Sequence, residues 1–292
     1  MQIITGLEMN KLISVVIPTH KRGDEVVNAV DSVLKSSVVP TEIIVVEDRS
    51  NEAESTLADM IANNSIRYFR KTDGNFGASA TRNFGVSKAR NKFVLFLDDD
   101  DRMIHSYIEK LIKSIQVTSC RWGFGEVLID NKPSKFRHSS SVELKTTKFK
   151  KKIAGLGFGF WIDRELYETV CGLNEFLSID EDTDLCCRLI SLGYNPFYLQ
   201  EEAVNVSRES GLDRLTTSTE GQRIVECYFK TLTSNYKHLA NNIEAREFLL
   251  DRVHRVMCKY DPNQLSKLSG YDRSLKLKTI HYLRECRYQM RG

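Results

Sequence analysis

Four consecutive carboxylates, Asp98 to Asp101, follow directly on the apolar run Phe93-Val-Leu-Phe-Leu97. Acid groups crowded at a strand end repel one another, so their charge must be offset by solvent, basic groups or a divalent cation. An all-oxygen set suits a hard cation such as Mg²⁺ or Mn²⁺, usually with phosphate oxygens completing the shell. The same residues would serve equally as a solvated turn capping the next helix, because Asp is a good N-cap and Met103 to Ile115 has helical spacing. A second acidic centre, Glu181 and Asp182, precedes the helical stretch Thr183 to Leu192. Two adjacent carboxylates raise at least one pKa, which suits a general base working near neutrality. Its structural alternative is an acidic cap, with Asp180 or Asp182 satisfying the first amides of the helix.

The elements that must position these groups follow from periodicity. Leu12 to Ile17 reads as a buried strand ended by Pro18 and Thr19, and Asp24 to Leu34 as the helix after it. Glu42 to Val46 is a β-branched strand that runs into Glu47-Asp-Arg-Ser50. Helix Glu52 to Ala62, strand Ile66 to Arg70, a glycine-bearing loop over Asp73 to Gly77, helix Ser79 to Ala89 and strand Phe93 to Leu97 follow. This alternation predicts βαβ units in a mainly parallel sheet. Polar signals therefore recur at the C-terminal ends of strands, where open α/β sheets place ligands.

Beyond the strands the pattern changes. Asn131 to Lys152 holds eight cations, Lys132, Lys135, Arg137, Lys145, Lys148, Lys150, Lys151 and Lys152, against Glu143 among its acids. It reads as a solvated surface excursion or as a flap that meets an anionic donor or acceptor. Gly155, Gly157 and Gly159 alternate with large apolar residues, as in a strand that lies close beside a ligand. Trp161 behind them suits stacking on a ligand ring or a place in the core. From Ser218 onward the spacing is helical, over Gln222 to Leu232, Ile243 to Tyr260 and Leu275 to Met290. The last of these is basic and amphipathic, fit to lie on an anionic bilayer or to pack on the rest of the chain or on another subunit.

Composition narrows the function class. The 292 residues are 41% apolar and 28% charged with a net charge of +3, an ordinary soluble balance that gives no argument for nucleic acid. No stretch has the roughly 18 to 20 apolar residues of a membrane span, and no secretory leader pattern opens the chain. Seven scattered cysteines without C-x-x-C fit reduced thiols in a cytoplasm.

Taken in order, Ser14-Val-Val-Ile-Pro-Thr-His20, Glu42-Ile-Ile-Val-Val-Glu-Asp-Arg-Ser50, Asn75-Phe-Gly-Ala-Ser-Ala-Thr-Arg-Asn-Phe-Gly85, Phe96-Leu-Asp-Asp-Asp-Asp101, Gly172-Leu-Asn-Glu-Phe176 and Asp180-Glu-Asp-Thr-Asp-Leu-Cys-Cys-Arg-Leu189 form a series. That series resembles the family 2 glycosyltransferases of bacterial polysaccharide type. The resemblance implies an α/β GT-A fold: a Rossmann-like, mainly parallel mixed sheet flanked by helices, over residues 1–210, with a helical C-terminal region over 211–292. It implies a metal-dependent, inverting hexosyl- or N-acetylhexosaminyltransferase. Such an enzyme moves a sugar from a nucleotide diphosphate sugar, a UDP-sugar first, to a hydroxyl of a saccharide or lipid-linked saccharide in surface polysaccharide synthesis. The implied location is cytoplasmic, with peripheral contact to the inner face of the membrane or self-association through the C-terminal helices. A sugar-nucleotide nucleotidyltransferase and a non-catalytic scaffold subunit are the alternatives.

Position by position, the resemblance places Pro18, Thr19, Glu47, Asp48 and Arg82 at the nucleotide. Glu47 stands where the family usually has Asp, keeping the charge but extending it by one methylene. The Asp-x-Asp metal motif falls on Asp98, Asp99 and Asp100. Asp100 is expected to ligate Mn²⁺ or Mg²⁺ directly, Asp98 to support it, Asp99 to face the other way within the donor site, and Asp101 to cap the following helix. Asp182 corresponds to the catalytic base, with Glu181 as its neighbour and second choice. The stretch Ala203 to Arg208 lacks the histidine some relatives carry, so the metal is held by few protein ligands or Arg208 helps neutralise the diphosphate.

Overall fold

The computed structural model describes residues 11–134, 139–206, 219–271 and 273–289. Contacts divide the chain into two units: the described parts of Met1–Thr146, Ala154–Glu175 and Gly193–Gly211, and those of Thr147–Ile153, Phe176–Leu192 and Leu212–Gly292. The division does not fall at a single point near residue 210. The segment carrying Glu181 and Asp182 groups with the C-terminal helices.

The first unit is built on a sheet whose strands are β1 (Ile13–Thr19), β2 (Glu42–Asp48), β3 (Arg67–Lys71), β4 (Phe93–Phe96), β5 (Asp101–Met103), β6 (Trp122–Ile129), β7 (Lys132–Pro133), β8 (Val142–Glu143), β9 (Trp161–Asp163) and β10 (Phe197–Val206). Their order is β3-β2-β1-β4-β9-β6-β10-β5, with β7 on β6 and β8 on β10. The half from β3 to β4 is parallel, whereas β9 runs antiparallel to both β4 and β6, and β10 is parallel to β6. β1 and β2 are buried along their whole length, as strands covered on both faces must be. Helix α1 (Gly23–Leu34) turns Val26, Ala29, Val30 and Val33 onto the core that also contains Val15, Ile17, Ile43 and Val45.

Three local expectations change. The predicted helix over 52–62 is two short ones, α2 (Glu52–Thr56) and α3 (Ala58–Ala62), meeting at buried Leu57. Helix α4 (Ala78–Lys88) matches its prediction. The helix expected over 103–115 begins later, as α5 (Tyr107–Val117). Asp101–Met103 instead pairs antiparallel with Val204–Val206, a tertiary pairing that overrides local helical spacing. The basic segment 131–152 is not wholly an excursion, since it contributes β7 and β8 and buries Leu144 against Phe124 and Tyr198. Its Lys135 and Arg137 lie outside the described residues.

The second unit contains α7 (Glu181–Ser191), α8 (Gly221–Asn235), α9 (Ile243–Tyr260) and α10 (Leu275–Gln289); α6 (Arg164–Thr169) belongs to the first. Cys187 of α7 joins Val225 and Leu232 of α8 and Leu250, Val253 and Met257 of α9 in one apolar cluster. The Asn242 side chain caps α9 by accepting the Ala245 amide at 3.0 Å. No helix among the described residues is long and apolar enough to cross a membrane.

Candidate active site

Parallel pairing aligns β1, β2 and β4 so that their C-terminal ends form one edge, with Thr19 in register with Glu47 and Pro18 with Val46. Pro18, Thr19, Glu47, Asp48 and the acidic run after β4 thus meet at that edge. Asp48 is 4% exposed, and its Oδ2 accepts the Gly77 amide at 2.8 Å. Gly77 has φ +96°, a conformation that a side chain would strain, so a glycine there lets the amide reach the carboxylate. Asp48 Oδ1 is buried and accepts no hydrogen bond among the described residues; Arg49 Nε stands 3.7 Å away. A buried carboxylate oxygen without a donor is costly, and a ligand N–H or O–H would relieve it.

Glu47 departs from its expected role. It is 0% exposed, and its oxygens accept from Ser50 Oγ at 2.6 Å, Tyr68 OH at 2.6 Å and the Ala53 amide at 3.2 Å. The extra methylene carries this carboxylate inward to internal donors, which leaves Asp48 as the acceptor of the pair. Burial opposes ionisation of Glu47, but the bonds from Ser50 and Tyr68 outweigh it and hold the pKa below the ordinary 4.5. The stability from this network is therefore present above pH 4.5 and is lost as pH falls through the lower folded-state value. Tyr68→Phe is expected to cost about 2 kcal/mol in urea unfolding at pH 7 and to shrink that acid-side loss, because a bond to an ionised acceptor disappears.

After β4 the chain turns, with the Asp101 amide donating to the Asp98 carbonyl at 3.1 Å. This turn gathers carboxylate oxygens of Asp98, Asp100 and Asp101 within 4.8 Å of one another and sends Asp99 elsewhere. Asp101 is thus no helix cap: it lies in β5, while Ser106 precedes α5. Asp99 is 5% exposed and accepts from Arg22 Nη1 at 2.8 Å, so its carboxylate faces protein rather than an open site. Burial pushes its pKa up to about 6 against the pull of Arg22. Arg22 also stands 3.4 Å from Asp100 Oδ2, and Arg82 Nη2 donates to Asp98 Oδ1 at 2.5 Å. These two guanidinium groups offset the crowded charge at its flanks.

The glycines 155, 157 and 159 form a turn rather than a strand. A Cβ placed on Gly157 would lie 3.4 Å from both Asp98 Oδ2 and Asp101 Oδ2, so this turn walls the acidic cluster at backbone distance. Trp161 is fully buried in β9, edge-on to Phe93 at 5.7 Å, and is a core residue that no sugar can reach. Arg22 joins the site although nothing in its spacing marked it, while Asp101 and Gly157 join it as a cluster carboxylate and a turn glycine rather than as the helix cap and strand glycine expected. The signal for Arg22 in the sequence was a basic residue just beyond the end of β1.

In the second unit Glu181 and Asp182 open α7 and are partly exposed. Asp182 Oδ1 accepts the Thr183 amide at 2.5 Å. Asp180 precedes the helix but makes no side-chain cap bond, so the expected cap is not its role. Arg208 lies outside the described residues.

Comparison with known proteins bears on this arrangement. The family model described as glycosyl transferase family 2 matches residues 14–170. Glycosyltransferase GlyG of Streptococcus pneumoniae serotype 4 is 32% identical over 110 residues, 37% of this chain and 36% of that protein. The poly(ribitol-phosphate) β-N-acetylglucosaminyltransferase TarP of Staphylococcus aureus is 32% identical over 104 residues, 35% of this chain and 32% of its own length. The chain thus aligns with about a third of the length of each relative. The crystal structure of S. aureus TarS 1-349 in complex with UDP-GlcNAc superposes with a TM-score of 0.67 at 15% identity, covering 89% of this chain and 76% of that one, which shows a shared GT-A fold.

Proposed function

This chain belongs to glycosyl transferase family 2, and from that we propose that it moves a sugar from a nucleotide diphosphate sugar, a UDP-sugar first, to a hydroxyl of a saccharide or lipid-linked saccharide. The observation that carries the reading is the strand-end edge of the first unit, which holds both Asp48 Oδ1, buried without a hydrogen-bond donor among the described residues, and the three-carboxylate cluster. The relatives add support. TarP is named for transferring N-acetylglucosamine to poly(ribitol-phosphate), and TarS was crystallised with UDP-GlcNAc. A surface glycopolymer is accordingly the proposed acceptor class.

Asp48 accepts hydrogen bonds from the nucleoside, with Pro18 and Thr19 beside it. Arg82 supports the diphosphate end through its bond to Asp98. The donor set fits a hard divalent cation, because three carboxylates converge and Gly157 keeps a side chain out of the space beside them. Asp100 and Asp98 would hold Mn²⁺ or Mg²⁺, which would stabilise the negative charge that develops on the departing nucleoside diphosphate. Asp182 takes the proton of the acceptor hydroxyl, and the oxygen attacks the anomeric carbon with inversion. Glu181 is the supporting carboxylate.

Exposed Tyr282, Leu283 and Tyr288 share α10 with exposed Lys276, Lys278 and Arg287. That mixture supports peripheral contact of a cytoplasmic enzyme with an anionic membrane surface. A nucleotidyltransferase would need a glycine-rich basic loop after β1, and Lys21-Arg-Gly23 leads straight into α1.

The direct test is a thermal-shift panel of UDP-, GDP- and dTDP-sugars with Mn²⁺, since ligands that bind the native state raise its midpoint. A shift with UDP-GlcNAc or UDP-glucose that vanishes in EDTA is expected; a panel without any shift would count against the donor site. Gly157→Val is expected to weaken Mn²⁺ binding in the presence of UDP by about tenfold, read by calorimetric titration, because a branched side chain there presses on Asp98 and Asp101.

A further inference from the structure

The family match ends at residue 170, yet the first turn of α7 is held by helices that begin after residue 219. Asp180, which leads into that turn, has φ +69° and ψ 10°, a left-handed conformation that is strained for a residue with a Cβ. Strain of this kind persists only where the surroundings over-determine it. Here Arg252 of α9 does so, donating from Nη2 to Asp180 Oδ1 in a buried ion pair. The Arg252 guanidinium is itself held by aromatic faces, 4.7 Å from the Tyr228 ring centre and 5.3 Å from that of Phe248. Burial pushes the Asp180 pKa up to about 6, with Arg252 opposing.

A second tie lies one turn along. Asp184 accepts from Asn235 Nδ2 of α8 at 2.7 Å, with both side chains buried, and from Arg188 Nε at 2.9 Å. Positions 180 and 184 share a helix face, so the two bonds fix both the rotation of α7 about its axis and its position along it. Glu181 and Asp182 lie between these anchors, in the same turn. Apolar packing alone would hold such a helix at lower desolvation cost. Directional bonds at 180 and 184 add what packing lacks, a single orientation for the residues between.

We propose that Arg252, with Asn235, is a positioning residue for the Asp182 carboxylate; the inference rests on the reading of Asp182 as the base. The helical C-terminal region then belongs to the catalytic apparatus of this chain, although it lies beyond the family match.

The test measures UDP release from UDP-GlcNAc with Mn²⁺ and amide exchange over residues 180–186. Arg252→Met alone strands the buried Asp180 carboxylate, so the double variant Asp180→Asn/Arg252→Met, which removes both charges, keeps the unit foldable. For it we expect kcat to fall about 10²-fold, the cost of misplacing a reacting group by about 1 Å. The donor KM should stay within about twofold. Exchange over 180–186 should quicken while that of β1 and β4 stays unchanged. Arg252→Lys, which keeps the charge but loses the fork, should recover part of the rate. Wild-type kcat in the double variant, with Asp182→Asn inactive, would overturn the positioning role and leave the base in place. Full activity in Asp182→Asn would instead overturn the base itself. A parallel fall in kcat and donor binding, without rescue by lysine, would mark a merely structural tie and equally overturn the inference. Should the wild-type chain release no UDP, the exchange decides: unchanged rates over 180–186 overturn it, and quickened rates confined to that segment support it.

Discussion

Asp100→Asn is expected to lower Mn²⁺-dependent UDP release from UDP-GlcNAc by about 10³-fold, close to the level of wild-type protein in EDTA, with the fold intact. The turn after β4 brings oxygens of Asp98, Asp100 and Asp101 within 4.8 Å, so Asp100→Asn removes one of the two carboxylates assigned to the cation and leaves Asp98 with Asp101 beside it. Deleting one stabiliser of developing charge typically costs 10²–10³-fold, and lost cation affinity adds to it. Asp99→Asn provides the contrast. Its carboxylate is buried on Arg22 and already pushed up to about 6, so an amide that still accepts from Arg22 should retain activity within about tenfold. Rates measured across a Mn²⁺ titration separate weaker affinity, which excess ion restores, from lost chemistry. Equal activity of Asp100→Asn and wild type at every Mn²⁺ concentration would sink the cation assignment.

Asp182→Asn should reduce sugar transfer by about 10³-fold while leaving donor binding untouched, because a positioned general base contributes about 10²–10⁴-fold. The thermal midpoint with UDP and Mn²⁺ should match wild type, which separates this variant from Asp100→Asn. The low-pH limb of kcat against pH should also disappear, since that limb reports the base. Glu181→Gln, next to it on the first turn of α7, is expected to retain activity within about tenfold. If the two variants exchanged behaviour, Glu181 would be the base; if neither lost activity, proton removal would belong to another group.

Much of the fold was legible because its strands carry unambiguous patterns. The all-buried runs of β1, β2 and β4 admit few alternatives, and the helices between them bring βαβ pairing and a common C-terminal edge. The short strand Asp101–Met103 was not legible, because three residues carry no period and owe their conformation to pairing with Val204–Val206. Glu47 and Asp48 show the same limit at the level of side chains. Both are acids at a strand end, yet Tyr68, Ser50 and the Ala53 amide claim the first, and only Asp48 keeps an oxygen without a donor.

Sequence alone determined the chemistry present at each strand end, because residue type and order along the chain specify which groups a parallel sheet carries to its C-terminal edge. Only tertiary structure decided which of those groups act together. Asp101 entered the carboxylate cluster and Asp99 left it through one turn, Gly157 closed on them from 56 residues beyond Asp101 in the chain, and Arg252 reached Asp180 from a helix outside the family match. The physical reason is that a carboxylate's role depends on which donors and cations reach its oxygens, and those contacts are made across the fold, where local spacing carries no signal.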